Sequence, residues 1–297
     1  VTRLLDAGVR WMTRERHATY GLALTRILLG LGTGAYVAAN LADRAALWGD
    51  GARWTTPAGG QPLPDLPLTV LCLGVLVVAA LVTVGWRARW TVPLLLLGWS
   101  VLTAVNPLVA DQGLNLARIL LLYLCLADTS ARWSLDARRR GRGVPGPVRT
   151  LAHNTAVLAV GAQVCLVYVL SGLFKLEGAA WRDGTAVHYP LALPQFRPWP
   201  LLADLVVGQG WLVATATWGT LALQVAFPIL VLHRRLRTAA VGGALLMHAA
   251  IAVVLGLPFF SLFMMAGDCV FLRDTAVARR VAQPTWWSQR TGAPRPA

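Results

Sequence analysis

The stretch from Tyr168 to Tyr189 reads YVLSGLFKLEGAAWRDGTAVHY, an apolar run that ends on Lys175 and then turns polar and aromatic. Lys175 is the one lysine of the chain, set against 26 arginines. Arginine serves wherever a fixed positive charge is wanted. A position that stays lysine is therefore a candidate for what arginine cannot offer, an amine able to lose its proton and act as a base. The other reading is an interfacial lysine that snorkels from a helix end. Tyr168, Ser171 and Lys175 share one helical face at i, i+3 and i+7, and Asn115 and Arg118 share another at i, i+3. His248 and Tyr36 are further polar groups placed within apolar runs.

The elements that must position these groups are membrane helices. The chain has 297 residues, is 56% hydrophobic and 13% charged, and has a mean hydropathy of +0.58. Several of its runs reach the roughly 20 apolar residues that a bilayer demands. The expected fold class is all-α, a polytopic integral membrane bundle of about eight transmembrane segments with both termini cytoplasmic. Residues 1–19 read as a basic amphipathic lead-in, 20–275 as the membrane domain and 276–297 as a disordered cytoplasmic tail. The segments run 20–39, 68–84, 90–105, 114–127, 155–174, 210–232, 238–257 and 258–272. The fourth is short for the hydrocarbon core, at about 21 Å. With this division every strongly basic loop falls on one side, as the positive-inside rule requires of a multi-pass protein of the cell membrane. The net charge of +14 is thus assigned to loops facing anionic lipid rather than to nucleic acid, for which no motif is present. No cleavage site follows the arginines of the N-terminus, so no removable signal peptide is expected. The four cysteines all lie in apolar runs without a C-x-x-C, which argues for small core residues and against thiol redox chemistry or a metal site.

This topology sorts the intramembrane polar groups by depth. Arg26 and Asp268 lie near the inner leaflet and read as a structural ion pair between helices, since an unpaired intramembrane charge costs about 2.5–3.5 kcal/mol. In the outer half lie Tyr36, Asn115, Arg118, Tyr168, Ser171, Lys175 and His248. If their faces converge, they line a polar pocket opening outward under the loop from 176 to 208. An apolar cleft beside the lysine would suit a lipid-soluble substrate such as a quinol. Each group alone reads as readily as a helix–helix hydrogen bond.

These residues resemble a known family. Tyr168 through Leu176, followed by Trp181-Arg-Asp-Gly-Thr-Ala186 and Tyr189, is similar to the HTTM domain, the membrane part of vitamin K-dependent gamma-carboxylases. Arg26 with Gly30, Ala127-Asp128 with Trp133-Ser134-Leu135-Asp136, and His248 with Gly256 through Ser261 fit in the same order, so the resemblance covers residues 15–275. It implies that Lys175 deprotonates reduced vitamin K or menaquinol, which then reacts with dioxygen to give an alkoxide able to remove an unactivated proton. In the carboxylases the resulting carbanion captures carbon dioxide. Arg118 and His248 join Lys175 as candidate catalytic groups, orienting substrate or stabilising an oxyanion. Asn115, Tyr168, Ser171, Trp181, Tyr189 and Tyr36 are the candidate quinone-binding groups, and no metal is expected.

Two departures qualify what carries over. No large soluble domain follows the membrane part, and the histidine that the animal enzymes carry before the fourth segment falls near Gly113. The chain looks more like short bacterial members such as the membrane protein of the sporulation-delaying toxin operon. That resemblance implies a secreted peptide or protein substrate and a small partner subunit. The competing reading is a non-catalytic membrane scaffold, or an export or maturation component for a secreted peptide.

Overall fold

The computed structural model describes residues 2–52, 62–139 and 146–282, and among them it is helical with no β-strand. The chain runs through α1 (Thr2–Thr13), α2 (Thr19–Ala39), α3 (Arg44–Trp48), α4 (Asp65–Val84), α5 (Ala88–Val105), α6 (Gln112–Leu124), α7 (Leu135–Arg139) and α8 (Pro147–Glu177). It continues through α9 (Ala179–Arg182), α10 (His188–Ala192), α11 (Pro200–Val207), α12 (Gly210–Leu232), α13 (Arg237–Val254), α14 (Pro258–Asp268) and α15 (Asp274–Ala282).

Among the described residues six helices are long and apolar enough to cross a membrane: α2, α4, α5, α8, α12 and α13. The remaining two apolar segments fold as the shorter α6 and as α14 with its one-turn extension to Phe271. Both short helices are shielded by protein. α14 packs against α2, α6, α8 and α13, and buries Ser261, Phe263, Met264, Ala266, Gly267 and Asp268. A helix can stop within an apolar layer only where neighbours shield its unpaired backbone ends. In α6 the first turn is capped by Asp111, whose carboxylate accepts the Leu114 amide at 2.8 Å.

The fifth segment begins earlier than the apolar run suggests. Pro147 follows Gly146 at the first helical turn, and α8 runs 31 residues without a break. His153 and Asn154, which the sequence reading left in a loop, are therefore helical and fully buried. The Asn154 side chain donates to the carbonyls of Trp11, Met12 and Glu15 at 3.1, 3.1 and 2.8 Å and accepts the His17 amide at 3.0 Å. His153 accepts the Asp128 amide at Nδ1 and pairs through Nε2 with the His17 carbonyl at 2.8 Å. The end of α1, the start of α2 and the Asp128 loop are thereby tied to one helix. Arg16 adds an ion pair to Asp128.

Arg26 and Asp268 do not form the expected ion pair. The Arg26 guanidinium is fully buried and donates to the carbonyls of Val82 at 2.8 Å, Thr83 at 3.2 Å and Trp133 at 2.7 Å. It thus caps the negative, carbonyl-bearing end of α4. Gly85 ends α4 at φ +68°, and a Cβ there would meet the Arg26 guanidinium, so the turn has to be glycine. Asp136 completes the joint by accepting the amides of Arg87 and Ala88, both at 2.9 Å, which caps α5. Asp274 caps α2 by accepting from Thr19 and Tyr20.

These contacts gather the start of α2, the α4–α5 turn, the loop after α6, the start of α8 and the start of α15 at one end of the bundle, the basic end. The helix α15 covers 274–282, so the first residues of the expected disordered tail are ordered, and the rest of that tail lies outside the described residues. Of the cysteines, Cys72 and Cys269 are buried, but Cys125 at the end of α6 is exposed.

Arg26→Ala is expected to lower stability by about 3 kcal/mol or more, because it removes the partner of three carbonyls, that of Val82 buried, and opens a cavity. Arg26→Lys should recover only part of this, since one ammonium cannot fork between α4 and Trp133. Thermal unfolding in detergent measures both, and an unchanged midpoint in Arg26→Ala would remove this joint from the account of the fold.

Candidate functional site

The residues singled out for chemistry on α8 run from the interior of the bundle, at Tyr168, to its far end, at Lys175. α8 reaches it with Tyr168, Ser171 and Lys175 on successive turns of one face, as their spacing requires. Tyr168 is fully buried, and its hydroxyl donates to both carboxylate oxygens of Asp268, at 2.9 and 3.1 Å. The same hydroxyl lies 2.9 Å from Nε2 of His248. Three helices, α8, α13 and α14, thus meet at one phenol.

The donor directions follow from the groups themselves. With Asp268 ionised the carboxylate only accepts, so Tyr168 spends its proton on Asp268 and takes the Nε2 proton of His248 on its own oxygen. The neutral imidazole then carries its proton on Nε2, and Nδ1 is a bare acceptor. That Nδ1 is buried without a partner. Phe260 packs against the ring, with centroids 5.8 Å apart.

Lys175 stands about two turns beyond Tyr168. Its amine folds back along α8 to lie 3.4 Å from the Ser171 carbonyl and 5.1 Å from the centre of the Trp181 ring. The side chain is half-buried, and no carboxylate pairs with it among the described residues. Between Tyr168 and Lys175 on this face lies Gly172. A Cβ at that position would meet α12 at Val225 and Gln224, so glycine lets the two helices touch. Gln224 brings a second orphan: its Oε1 is buried with no partner. The sequence reading missed Gln224, although a single amide in an otherwise apolar helix is the signal that could have found it.

The loop from 178 to 209 folds as α9, a turn, α10 and α11 over this end. Trp218 of α12 donates to the Arg182 carbonyl at 3.1 Å, and Thr217 accepts the Val187 amide at 3.2 Å. Pro198 packs against Gly256 in the α13–α14 turn. Trp181 is therefore placed by the same cover that meets α12.

Other expected members stand apart from this cluster. Asn115 and Arg118 bond one another at 2.7 Å, and Arg118 is exposed on α6. Tyr123 of α6 contacts Gln163 of α8 at 3.3 Å. Counting outward from that contact puts Arg118 level with Tyr168, on the flank of the bundle. Tyr36 belongs to an aromatic group with Trp48, Trp99 and Phe259, beside a small cavity bounded also by Asn106 and Leu114. Phe259 faces Tyr36 and Phe260 faces His248, so the start of α14 divides the two groups. Tyr189 is 60% exposed and touches His188.

With this geometry in hand, comparison with known proteins is decisive for the family. The HTTM domain model matches residues 15–275. The chain belongs to the HTTM-domain family. A protein of Bacillus subtilis (strain 168) named only as the uncharacterized protein YitO is 32% identical over 208 residues, covering 65% of this chain. The chain spans 62% of that relative's length. No solved structure matches this HTTM chain. The match includes every group described at the far end and the Arg26 joint at the basic end.

Tyr168→Phe is expected to destabilise the protein by about 1–3 kcal/mol, because Asp268 and His248 each lose their partner in a buried setting. Paired with His248→Gln in a double-mutant cycle, it should be non-additive by about 0.5–3 kcal/mol in thermal or denaturant unfolding. Strict additivity would mean that the two side chains are not coupled.

Proposed function

We propose that this HTTM chain is a membrane enzyme of the vitamin K-dependent carboxylase-like type, using a reduced quinone and dioxygen to modify a secreted peptide or protein at the extracytoplasmic face of the cell membrane. The observation that carries the reading is Lys175, the sole lysine, half-buried beside Trp181 with no acidic partner among the described residues. A lysine kept for its charge alone could as well be arginine, and an ion-paired one would be held protonated. The basic end, with its many arginines, faces the cytoplasm by the positive-inside rule, which puts Lys175 and its cover on the side where secreted substrates are met.

The residues present fit a quinol. Its hydroxyls are donors, and two of the buried orphans among the described residues of this region, Nδ1 of His248 and Oε1 of Gln224, are acceptors. Trp181 and Phe260 offer aromatic faces to a ring. When bound, the reduced quinone with dioxygen supplies a base strong enough to take an unactivated proton, and carbon dioxide is the further reactant where the product is a carboxylate. Lys175 accepts the proton that activates the quinol. His248, held as the Nε2–H tautomer by Tyr168 and Asp268, accepts a hydrogen bond from the ligand rather than stabilising an oxyanion, a role that would need a proton on Nδ1. The cover from α9 to α11 excludes water from the amine. A small partner subunit would present the peptide.

The test is quinone epoxide formation by purified protein in detergent, supplied with reduced vitamin K or menaquinol and dioxygen and followed by mass spectrometry. Lys175→Ala should reduce the rate by about 10²–10⁴-fold, the usual worth of a general base. Lys175→Arg should be equally poor, since a guanidinium does not give up its proton. Full peptide maturation by Lys175→Arg, without epoxide from either protein, would instead establish the scaffold reading.

A further inference from the structure

A second site lies at the basic end, where the α12–α13 turn meets the start of α15. The turn reads His233-Arg234-Arg235-Leu236-Arg237. Its last arginine is consumed locally: Arg237 Nε donates to the Val231 carbonyl at 2.7 Å and closes α12. Arg234 and Arg235 are exposed and have no acidic partner among the described residues. Arg273, about 40 residues later in sequence, is brought to the same place. Together His233, Arg234, Arg235, Thr238 and Arg273 bound an open cleft of about 650 Å³.

The cleft is short of negative charge. The one carboxylate adjacent in sequence, Asp274, is spent on the start of α2, where it accepts from Thr19 and Tyr20. Nη2 of Arg273 is buried and has no partner among the described residues. A buried guanidinium nitrogen left unbonded is costly, and a ligand that brings an anionic oxygen would satisfy it. Three arginines from two segments distant in sequence, with a hydroxyl beside them, form a donor set suited to the oxygens of a phosphate.

The surroundings decide which phosphate. α12 is a membrane-spanning candidate, and its last turns expose Ile229 at 73% and Leu232 at 80%, with Leu236 at 45% in the turn itself. The cleft therefore opens where an apolar, lipid-facing surface gives way to a cationic one. That boundary is where the phosphate of a phospholipid sits while its acyl chains lie along the helix. A soluble phosphate or an acidic peptide would have no use for the apolar flank. We propose that this cleft binds the headgroup of an anionic phospholipid, with Arg234, Arg235 and Arg273 on the phosphate and the acyl chains along α12. Such a lipid would pin the α12–α13 hairpin to α15, and so to the start of α2.

The test uses the full chain purified in detergent and delipidated. Phosphatidylglycerol, phosphatidylcholine of the same acyl chains, and inorganic phosphate are added in parallel. Adducts are read by native mass spectrometry and stability by thermal unfolding. Phosphatidylglycerol should be retained and should raise the melting midpoint, while phosphatidylcholine and inorganic phosphate do neither at matched concentration. The triple variant Arg234→Gln, Arg235→Gln, Arg273→Gln should weaken phosphatidylglycerol binding by about tenfold or more. The control triple Arg89→Gln, Arg138→Gln, Arg139→Gln removes the same charge elsewhere at the basic end and should leave binding intact. If the first triple does not fold, Arg235→Gln alone, an exposed change, should still lower retention. Equal losses in the two triples would mean diffuse attraction and would overturn the site. Stabilisation by inorganic phosphate equal to that by phosphatidylglycerol would overturn the lipid assignment.

Discussion

The hydroxyl of Tyr168 lies between a carboxylate and an imidazole at full burial, and the far half of the bundle is arranged so that it can. An ionised Asp268 within an apolar bundle has no water to turn to, and a phenol alone is a modest partner for it. The pairing holds because α14 is packed on several sides and because His248 supports the phenol from behind. One consequence is chemical. A hydrogen-bond chain anchored on a carboxylate has a direction, and that direction fixes which imidazole nitrogen is free. With Asp268 ionised, the same contact that closes the core sets the unsatisfied ring atom of His248 as an acceptor.

The two ends of the molecule are built differently. At the basic end, Arg26, Asp136, Asp274, Asn154 and His153 each bond to several backbone groups of other elements, so loops are held as firmly as helices. At the far end the cover from α9 to α11 is joined to α12 through single hydrogen bonds from Trp218 and to Thr217. Local opening is cheapest where few such bonds must break. Under the proposed function the cover would admit a lipid-soluble ligand and a peptide, a task suited to the loosely joined end, and Lys175 lies under that cover. The division also explains why a lipid site belongs at the other end, where a bound headgroup would add one more cross-link to an already braced surface.

Much of this was legible in the amino-acid sequence, and the limits have a physical cause. Apolar run length gave the membrane helices and even the shortness of α6, because burial in lipid demands it. The i, i+3, i+7 spacing put Tyr168, Ser171 and Lys175 on one face, as found. Spacing gives depth and face but not the angle at which helices meet. Arg26 and Asp268 carry opposite charges within apolar runs, yet Arg26 turns to the open carbonyls of α4 and Asp268 to a phenol. Backbone carbonyls at a helix end are invisible as partners in a list of side chains. Tyr36 and Arg118 have the right depth and the wrong side, separated from His248 by α14 or carried to the flank of α6. His153 and Asn154 were hidden by treating the polar end of α8 as loop, although Pro147 after Gly146 marks a helix start.

The position of the lysine amine bears on whether one ligand can meet both Lys175 and His248. Seven residues of helix separate Lys175 from Tyr168, about 10 Å along the axis. An extended side chain at that point would carry the amine still further from His248. It does the opposite: Nζ folds back to the Ser171 carbonyl, which removes roughly a turn from the gap. Gly172 lies in the remaining interval and lets α12 approach, which brings in Gln224. Trp181 covers the amine from above. The lysine, the amide and the imidazole are therefore ordered along one seam of α8, and no carboxylate pairs with the amine among the described residues. A seam of this kind suits a flat, two-ended ligand that gives up hydrogen at one end and donates a hydrogen bond at the other.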